Sequence, residues 1–166
     1  MQKNFSSDAQ RALQNAKSAA EELLHNHIGS EHLLLGLCLT EGSSAQSILE
    51  EAGVLFDAAK EKLLTLVKKG TSPIGDTIQM TPRAQRILQN AISESSKNHI
   101  ETGTEFILLS LLSDGDCLGQ RILSLLGADL SALYKACREI IGENVSKEHP
   151  SAKDKQKGAK ENLKKL

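Results

Sequence analysis

Two short blocks carry the same chemistry-bearing residues in the same order, Gly29-Ser30-Glu31 and Gly103-Thr104-Glu105. Each stands directly ahead of an aliphatic run, Leu33-Leu34-Leu35-Gly36-Leu37 in one case and Ile107-Leu108-Leu109-Ser110-Leu111 in the other. A glycine turns the chain. A hydroxyl, Ser30 or Thr104, accepts a bond from the free amides that open a helix. A carboxylate, Glu31 or Glu105, sits where the helix dipole favours negative charge. The runs are apolar on every side, which predicts two short buried helices, each with a carboxylate at its mouth.

Other candidate chemistry is thinner. His25-Asn26-His27 with His32 alternates imidazoles in a helix-end loop, a weak ligand pattern that reads as surface histidines, with no metal site. The three cysteines, Cys38, Cys117 and Cys137, are odd in number, unevenly spaced and inside predicted helices, so they read as reduced thiols packed as small hydrophobes. No thiol pairs with an imidazole in a recognisable nucleophile pattern. No Gly-x-x-x-x-Gly-Lys-(Ser/Thr) occurs, so no phosphate-cradling P-loop is present. No catalytic residue is assigned, and an all-helical enzyme is disfavoured.

The elements that must position the two carboxylates repeat as well. Ala9-Gln10-Arg11-Ala12-Leu13-Gln14-Asn15-Ala16 returns as Ala84-Gln85-Arg86-Ile87-Leu88-Gln89-Asn90-Ala91 at an offset of 75. From Gly29/Gly103 onward the offset is 74, through Gln46/Gln120, Ile48/Ile122, Leu49/Leu123 and Gly53/Gly127. The repeat is about 60 residues long and loses one residue in a loop. Helical spacing predicts helices over about 7–24, 31–40, 44–51 and 56–67, then 82–97, 105–112, 117–126 and 130–141. Ser6 caps the first, and Thr81 followed by Pro82 starts the fifth.

Fold class is therefore all-α, with eight helices in two pseudo-symmetric four-helix repeats that form one compact domain over residues 1–142. Repeat one is 5–70, a linker is 71–80 and repeat two is 81–142. Residues 143–166 hold seven lysines and four acids and almost no aliphatic residue before Leu163, which reads as a solvated, lysine-rich flexible linker. A linker implies something to link, so more protein is expected to follow.

Bulk composition excludes several classes. Formal net charge is -1 and only 2% of residues are aromatic, so neither a basic field nor stacking rings point to nucleic acid. The tail lysines are interleaved with acids. The first residues lack the apolar core of a signal peptide, and no apolar run reaches membrane-spanning length. With reduced thiols, these features point to the cytosol and to no membrane partner.

The paired Gly-(Ser/Thr)-Glu blocks, the Ala-Gln-Arg helix starts and the Ile-Leu-x-x-x-Gly turns at Ile48 to Gly53 and Ile122 to Gly127 resemble the double repeat of Clp N-terminal domains over residues 5 to 142. These domains head the AAA+ protein unfoldases, and the ClpC type is the nearest in look. The resemblance implies a domain that docks protein substrates and adaptors above an ATPase ring and is itself no enzyme. ATP, magnesium and a ClpP-type peptidase would then engage only the ring, and the isolated chain would be a monomer without a cofactor. A free-standing Clp-N-like regulator is the alternative.

In ClpC-type members the resemblance further implies a reader of phosphorylated arginine. The recognition carboxylates fall on Glu31 and Glu105, with the phosphate side near Ser6 and Thr81. Such chemistry is physically sound. A carboxylate takes a guanidinium through paired hydrogen bonds, and a helix N-terminus takes a phosphate through free amides. The same residues also serve as plain helix caps, and both readings stand. The family's basic residue two positions after the hydroxyl is Arg83 in repeat two, but Asp8 occupies that place in repeat one. The expectation is that a Thr81/Arg83/Glu105 site binds phosphoarginine more tightly than a Ser6/Glu31 site.

Overall fold

A computed structural model describes residues 4–71 and 78–148. Most of the expected 71–80 linker and the tail beyond residue 148 lie outside the described residues. Repeat one contributes α1 (Ser7–Glu22), α2 (Ser30–Leu39), α3 (Ser44–Glu51) and α4 (Phe56–Leu66). Repeat two contributes α5 (Pro82–Lys97), α6 (Thr104–Ser113), α7 (Leu118–Leu125) and α8 (Leu130–Glu148).

Local chemistry sets most of the boundaries. Ser6 Oγ accepts from the Ala9 amide and Thr81 Oγ1 from the Ala84 amide, both at 3.1 Å. Pro82 occupies the first turn of α5, where its missing N–H removes no helical bond. Gly53 and Gly127 end α3 and α7 at φ +81, a conformation that costs other residues a steric penalty. The repeated glutamines tie the helix starts down, because Gln10 Nε2 donates to the Phe5 carbonyl and Gln85 Nε2 to the Met80 carbonyl.

Helices α2 and α6 are buried over most of their length and form the centre of one core shared by both repeats. Around them stand the apolar faces of α1, α3, α5, α7 and α8. Helices α1 and α2 approach so closely at Gly36 that a Cβ there would stand 2.4 Å from the Ala12 carbonyl oxygen. Repeat two solves the same crossing with Ser110, whose hydroxyl donates to the Ile87 carbonyl at 2.6 Å.

Three features depart from the sequence reading. Helix α8 continues through Gly142 to Glu148, where a linker was expected from residue 143. Val145 follows Leu133, Cys137 and Ile141 at four-residue spacing and packs on the core, which carries the helix onward. Ser30 and Thr104 are not the caps of their own helices, since Gly29 and Gly103 hold those positions. Their hydroxyls instead cross to the other repeat. Ser30 Oγ accepts from the Gly119 amide at 3.0 Å, and Thr104 Oγ1 accepts from the Ala45 amide at 3.1 Å. Each cross-bond satisfies an open amide in the first turn of the other repeat's third helix.

The third departure is a pair of strands in a chain read as wholly helical. β1 (His27–Ile28) and β2 (Gln79–Met80) pair in parallel, with Ile28 opposite Met80. Phe5 bridges Thr102 in the same sense, the pseudo-symmetric counterpart. The Thr81 amide donates to the Ile28 carbonyl at 3.0 Å, and the Ser6 amide to the Thr102 carbonyl at 2.9 Å. These bonds tie the entry of each repeat's first helix to the entry of the other repeat's second helix.

Candidate functional site

That exchange builds two clefts, each assembled from both repeats. One, of about 370 Å³, is lined by Thr81 and Arg83 from the start of α5, Glu31 from the start of α2, His27 from β1, and Asp116 and Arg121 around α7. Its twin, of about 230 Å³, is lined by Ser6, Asp8, Glu101, Glu105 and Asn144. The expected pairing of Thr81 and Arg83 with Glu105, and of Ser6 with Glu31, is therefore exchanged. Thr81 and Arg83 share a cleft with Glu31, and Ser6 shares one with Glu105. The parallel pairing of β1 with β2 causes the first, and the bridge of Phe5 to Thr102 the second.

Both carboxylates are folded back over the glycine that precedes them. A Cβ on Gly29 would stand 2.5 Å from Glu31 Oε1, and one on Gly103 would stand 2.6 Å from Glu105 Oε1. The glycines thus make room for the acids as well as for the turn. Glu31 and Glu105 are buried. Glu105 accepts from Asn144 Nδ2 at 2.7 Å, a contact available only because α8 runs past Gly142. Burial holds the Glu105 carboxyl above the usual carboxylate range, its own backbone N–H and Asn144 work against this, and the charges of Asp8 and Glu101 add to it.

The clefts differ in charge. Asp8, Glu101 and Glu105 face the smaller one, and no basic residue is among those lining it. Arg11 lies nearby but is bound to Asp8 at 2.7 Å. Arg83 and Arg121 face the larger one alongside Glu31 and Asp116. Arg83 is 3.6 Å from Asp114, which Arg86 also holds at 2.9 Å. Arg121 bonds Asp116 at 3.0 Å, and that bond holds the Asp116 carboxyl below its ordinary range. The larger cleft presents cations beside a buried acid, the arrangement a zwitterionic ligand requires.

Behind Glu31 lies a chain of histidines that the sequence placed at the surface. His25 and His32 are buried. Burial holds the His32 ring neutral, and the hydrogen bonds then fix the order of donors along the chain. The Gly29 amide donates to His32 Nδ1 at 2.9 Å, so the His32 proton is on Nε2. That proton goes to His25 Nδ1 at 2.8 Å, and His25 Nε2 donates to the Lys68 carbonyl at 2.9 Å. Burial, then the neighbouring His25 and His27, lower the His32 pKa to about 3. In repeat two Phe106 stands in place of His32.

The cysteines are buried and free of disulfides, as the sequence implied. Burial pushes the Cys38 and Cys137 thiols up to about 12, which keeps both protonated and poorly nucleophilic at neutral pH. Among the described residues no helix is long and apolar enough to cross a membrane.

Of the residues lining the clefts, sequence reasoning missed Asn144, Glu101, Asp116 and Arg121. His27 carried a visible signal, the His-Asn-His alternation, that was read as solvent-facing. The others differ from their counterparts in repeat one and have no motif of their own.

Fold and clefts together define a double-repeat helical domain of one family. Residues 4–99 match the Clp repeat (R) N-terminal domain, and the chain belongs to that family. The ClpC/MecB negative regulator of genetic competence of Bacillus subtilis is 33% identical over 141 residues, covering 84% of this chain and 17% of that protein. The chaperone protein ClpB of Oceanobacillus iheyensis is 33% identical over 143 residues, covering 86% of this chain and 18% of that protein. This chain thus spans less than a fifth of the length of these relatives. Among solved structures, the N-terminal domain of the chaperone ClpD from Arabidopsis thaliana superposes with a TM-score of 0.74 at 21% identity, over 85% of this chain and 99% of that domain. A ClpV N-domain solved in complex with a VipB peptide gives 0.62 at 24% identity, over 80% of this chain and 83% of that one.

Proposed function

We propose that this chain is the docking domain through which a Clp-type unfoldase takes up protein substrates and adaptors, and that its Thr81/Arg83/Glu31 cleft holds phosphoarginine. The observation that carries this reading is the parallel pairing of β1 with β2. It brings an arginine and a capped helix N-terminus to the same cleft as a buried carboxylate. The guanidinium of the ligand would bond Glu31, and its phosphate would meet the α5 amides and Arg83. In the twin cleft Asp8 and Glu101 oppose a phosphate, so binding there is weaker.

A hollow of about 620 Å³ between the repeats supports the broader docking role. Leu66 of α4 faces Leu112, Leu125 and Leu130 of repeat two across it, and Leu66 and Leu125 are exposed. Apolar surface of this kind suits a segment of an adaptor or client protein. Capture and release are the whole mechanism of this domain. ATP hydrolysis and contact with a peptidase chamber belong to a ring outside these residues, and the cytosol is the expected compartment.

Titration of the chain with free phosphoarginine, followed by amide chemical shifts and calorimetry, tests the reading. Shifts are expected first at Gly29, Glu31, Arg83 and Ala84. Glu31→Gln should remove the tighter binding event and Glu105→Gln should leave it in place. Equal losses from both variants, or shifts confined to the Ser6 cleft, would overturn it.

A further inference from the structure

The larger cleft and the apolar hollow share a wall. Asp116 and Arg121 line both spaces. Their side chains are exposed and joined by two hydrogen bonds, at 3.3 and 3.0 Å. An exposed pair of this kind contributes little to stability, so it yields readily to a ligand on either side.

One face of α7 runs beneath the two spaces. Leu118 lines the cleft, Arg121 stands at the wall and Leu125 lines the hollow, at positions i, i+3 and i+7. Across the hollow stands Leu66 of α4, 39% exposed, and Leu125 is 52% exposed. From Arg121 to Leu125 is about one helical turn, or about 6 Å along the axis. An extended peptide covers two residues in about 6.6 Å, and its residues i and i+2 point to the same side. The step from wall to hollow therefore matches two residues of extended chain.

Repeat one offers no such path. The residues of α3 that correspond to Leu118, Arg121 and Leu125 are Ser44, Ser47 and Glu51, all polar. None of the residues lining the smaller cleft lines the hollow.

We propose that the larger cleft and the hollow form one binding surface for an extended client segment, with phosphoarginine in the cleft and an aliphatic side chain two residues away in the hollow. This rests on the phosphoarginine reading of the cleft and adds the neighbouring residue to what is recognised. The backbone of the segment crosses the Asp116–Arg121 pair, and Arg121 joins Arg83 at the phosphate. Aliphatic side chains stand open to capture mainly in unfolded segments, so the surface favours a mark on unfolded chain over the same mark on a folded surface.

The test is calorimetry of the full chain with blocked peptides in which phosphoarginine is flanked, two residues away on both sides, by leucine or by serine. Free phosphoarginine is titrated alongside. The leucine peptide should bind about fivefold or more tighter than the serine peptide, the gain expected for partly burying one leucine. Leu125→Ser and Leu66→Ser change exposed side chains, and each should erase that gain while free phosphoarginine binds as before. Free phosphoarginine binding with equal affinity for the two peptides would overturn this inference and leave the cleft reading standing. A gain that survives both variants would overturn it, as would a leucine peptide that binds equally well with plain arginine. Concentration-dependent dimerisation lost in Leu125→Ser, with no gain for the leucine peptide, would give the hollow to a second copy of the chain and overturn it. Binding of neither free phosphoarginine nor either peptide would overturn both readings.

Discussion

Removing the Ser30 hydroxyl should unfasten a helix in the opposite repeat. Ser30 belongs to α2, yet its Oγ is the acceptor for the Gly119 amide in the first turn of α7. Cys117, at the cap position of α7, makes no side-chain capping bond, so Ser30 takes the role a cap residue would have. Both Ser30 and Gly119 are buried, so water does not replace the lost oxygen. Truncating an ordinary cap costs about 1 kcal/mol. Leaving a buried N–H without an acceptor costs about 1–3 kcal/mol. Ser30→Ala should therefore destabilise the chain by about 2 kcal/mol, or about 4–8 °C in Tm for a domain of this size. Urea denaturation gives the total. Hydrogen exchange gives the location, with faster exchange at Gly119 and its neighbours in α7. Thr104→Ala should do the same to Ala45 and α3, and Thr104→Ser should restore it. If Ser30→Ala loosened only the start of α2 and left α7 protected, the cross-repeat capping would be wrong.

Three further outcomes follow from the packing and the buried groups. Gly36→Ala should cost about 3 kcal/mol or more by urea denaturation, at the upper end of overpacking penalties. The added Cβ meets backbone atoms of α1, at 2.4 Å from the Ala12 oxygen and 2.8 Å from the Ala16 nitrogen, and these cannot swing aside. The His32 ring, with its pKa lowered from 6.5 to about 3, gives stability that is full above pH 6.5 and is lost as the pH falls toward 3. Between pH 7 and pH 5 this amounts to about 2 kcal/mol, and the His32 imidazole resonance should stay flat over that range. Glu105 has the opposite sign, because its raised pKa makes the folded state bind the proton more readily than the unfolded chain. Its charge therefore opposes folding at neutral pH, and stability returns as the pH falls through the window above the ordinary glutamate value. Glu105→Gln, which keeps an acceptor for Asn144, should be more stable than the parent at pH 7 by thermal denaturation and less dependent on pH.

What the chain determines by itself is everything carried by neighbours within a few turns. The Ala-Gln-Arg blocks, the Ser6 and Thr81-Pro82 starts, the Gly53 and Gly127 ends and the all-apolar runs of α2 and α6 depend on spacing along one helix. Their duplication fixes two matching halves. The difference between Asp8 and Arg83 was legible for the same reason, since each is read against its own repeat.

Only the tertiary structure decided which pieces face one another. Two-residue strands have no period to detect, yet the pairing of Ile28 with Met80 and of Phe5 with Thr102 assigns Glu31 to Thr81 and Glu105 to Ser6. Repeats with the same helix order and the same capping residues offer similar donors and acceptors within a repeat and across to its twin, so sequence spacing cannot tell the two arrangements apart. Burial decided the rest. His25 and His32 look like polar loop residues until the core closes over them, and Asn144 looks like linker until α8 carries it to Glu105. Contacts of this kind are set by the way two bundles share one interior, and no local stretch of residues encodes that alone.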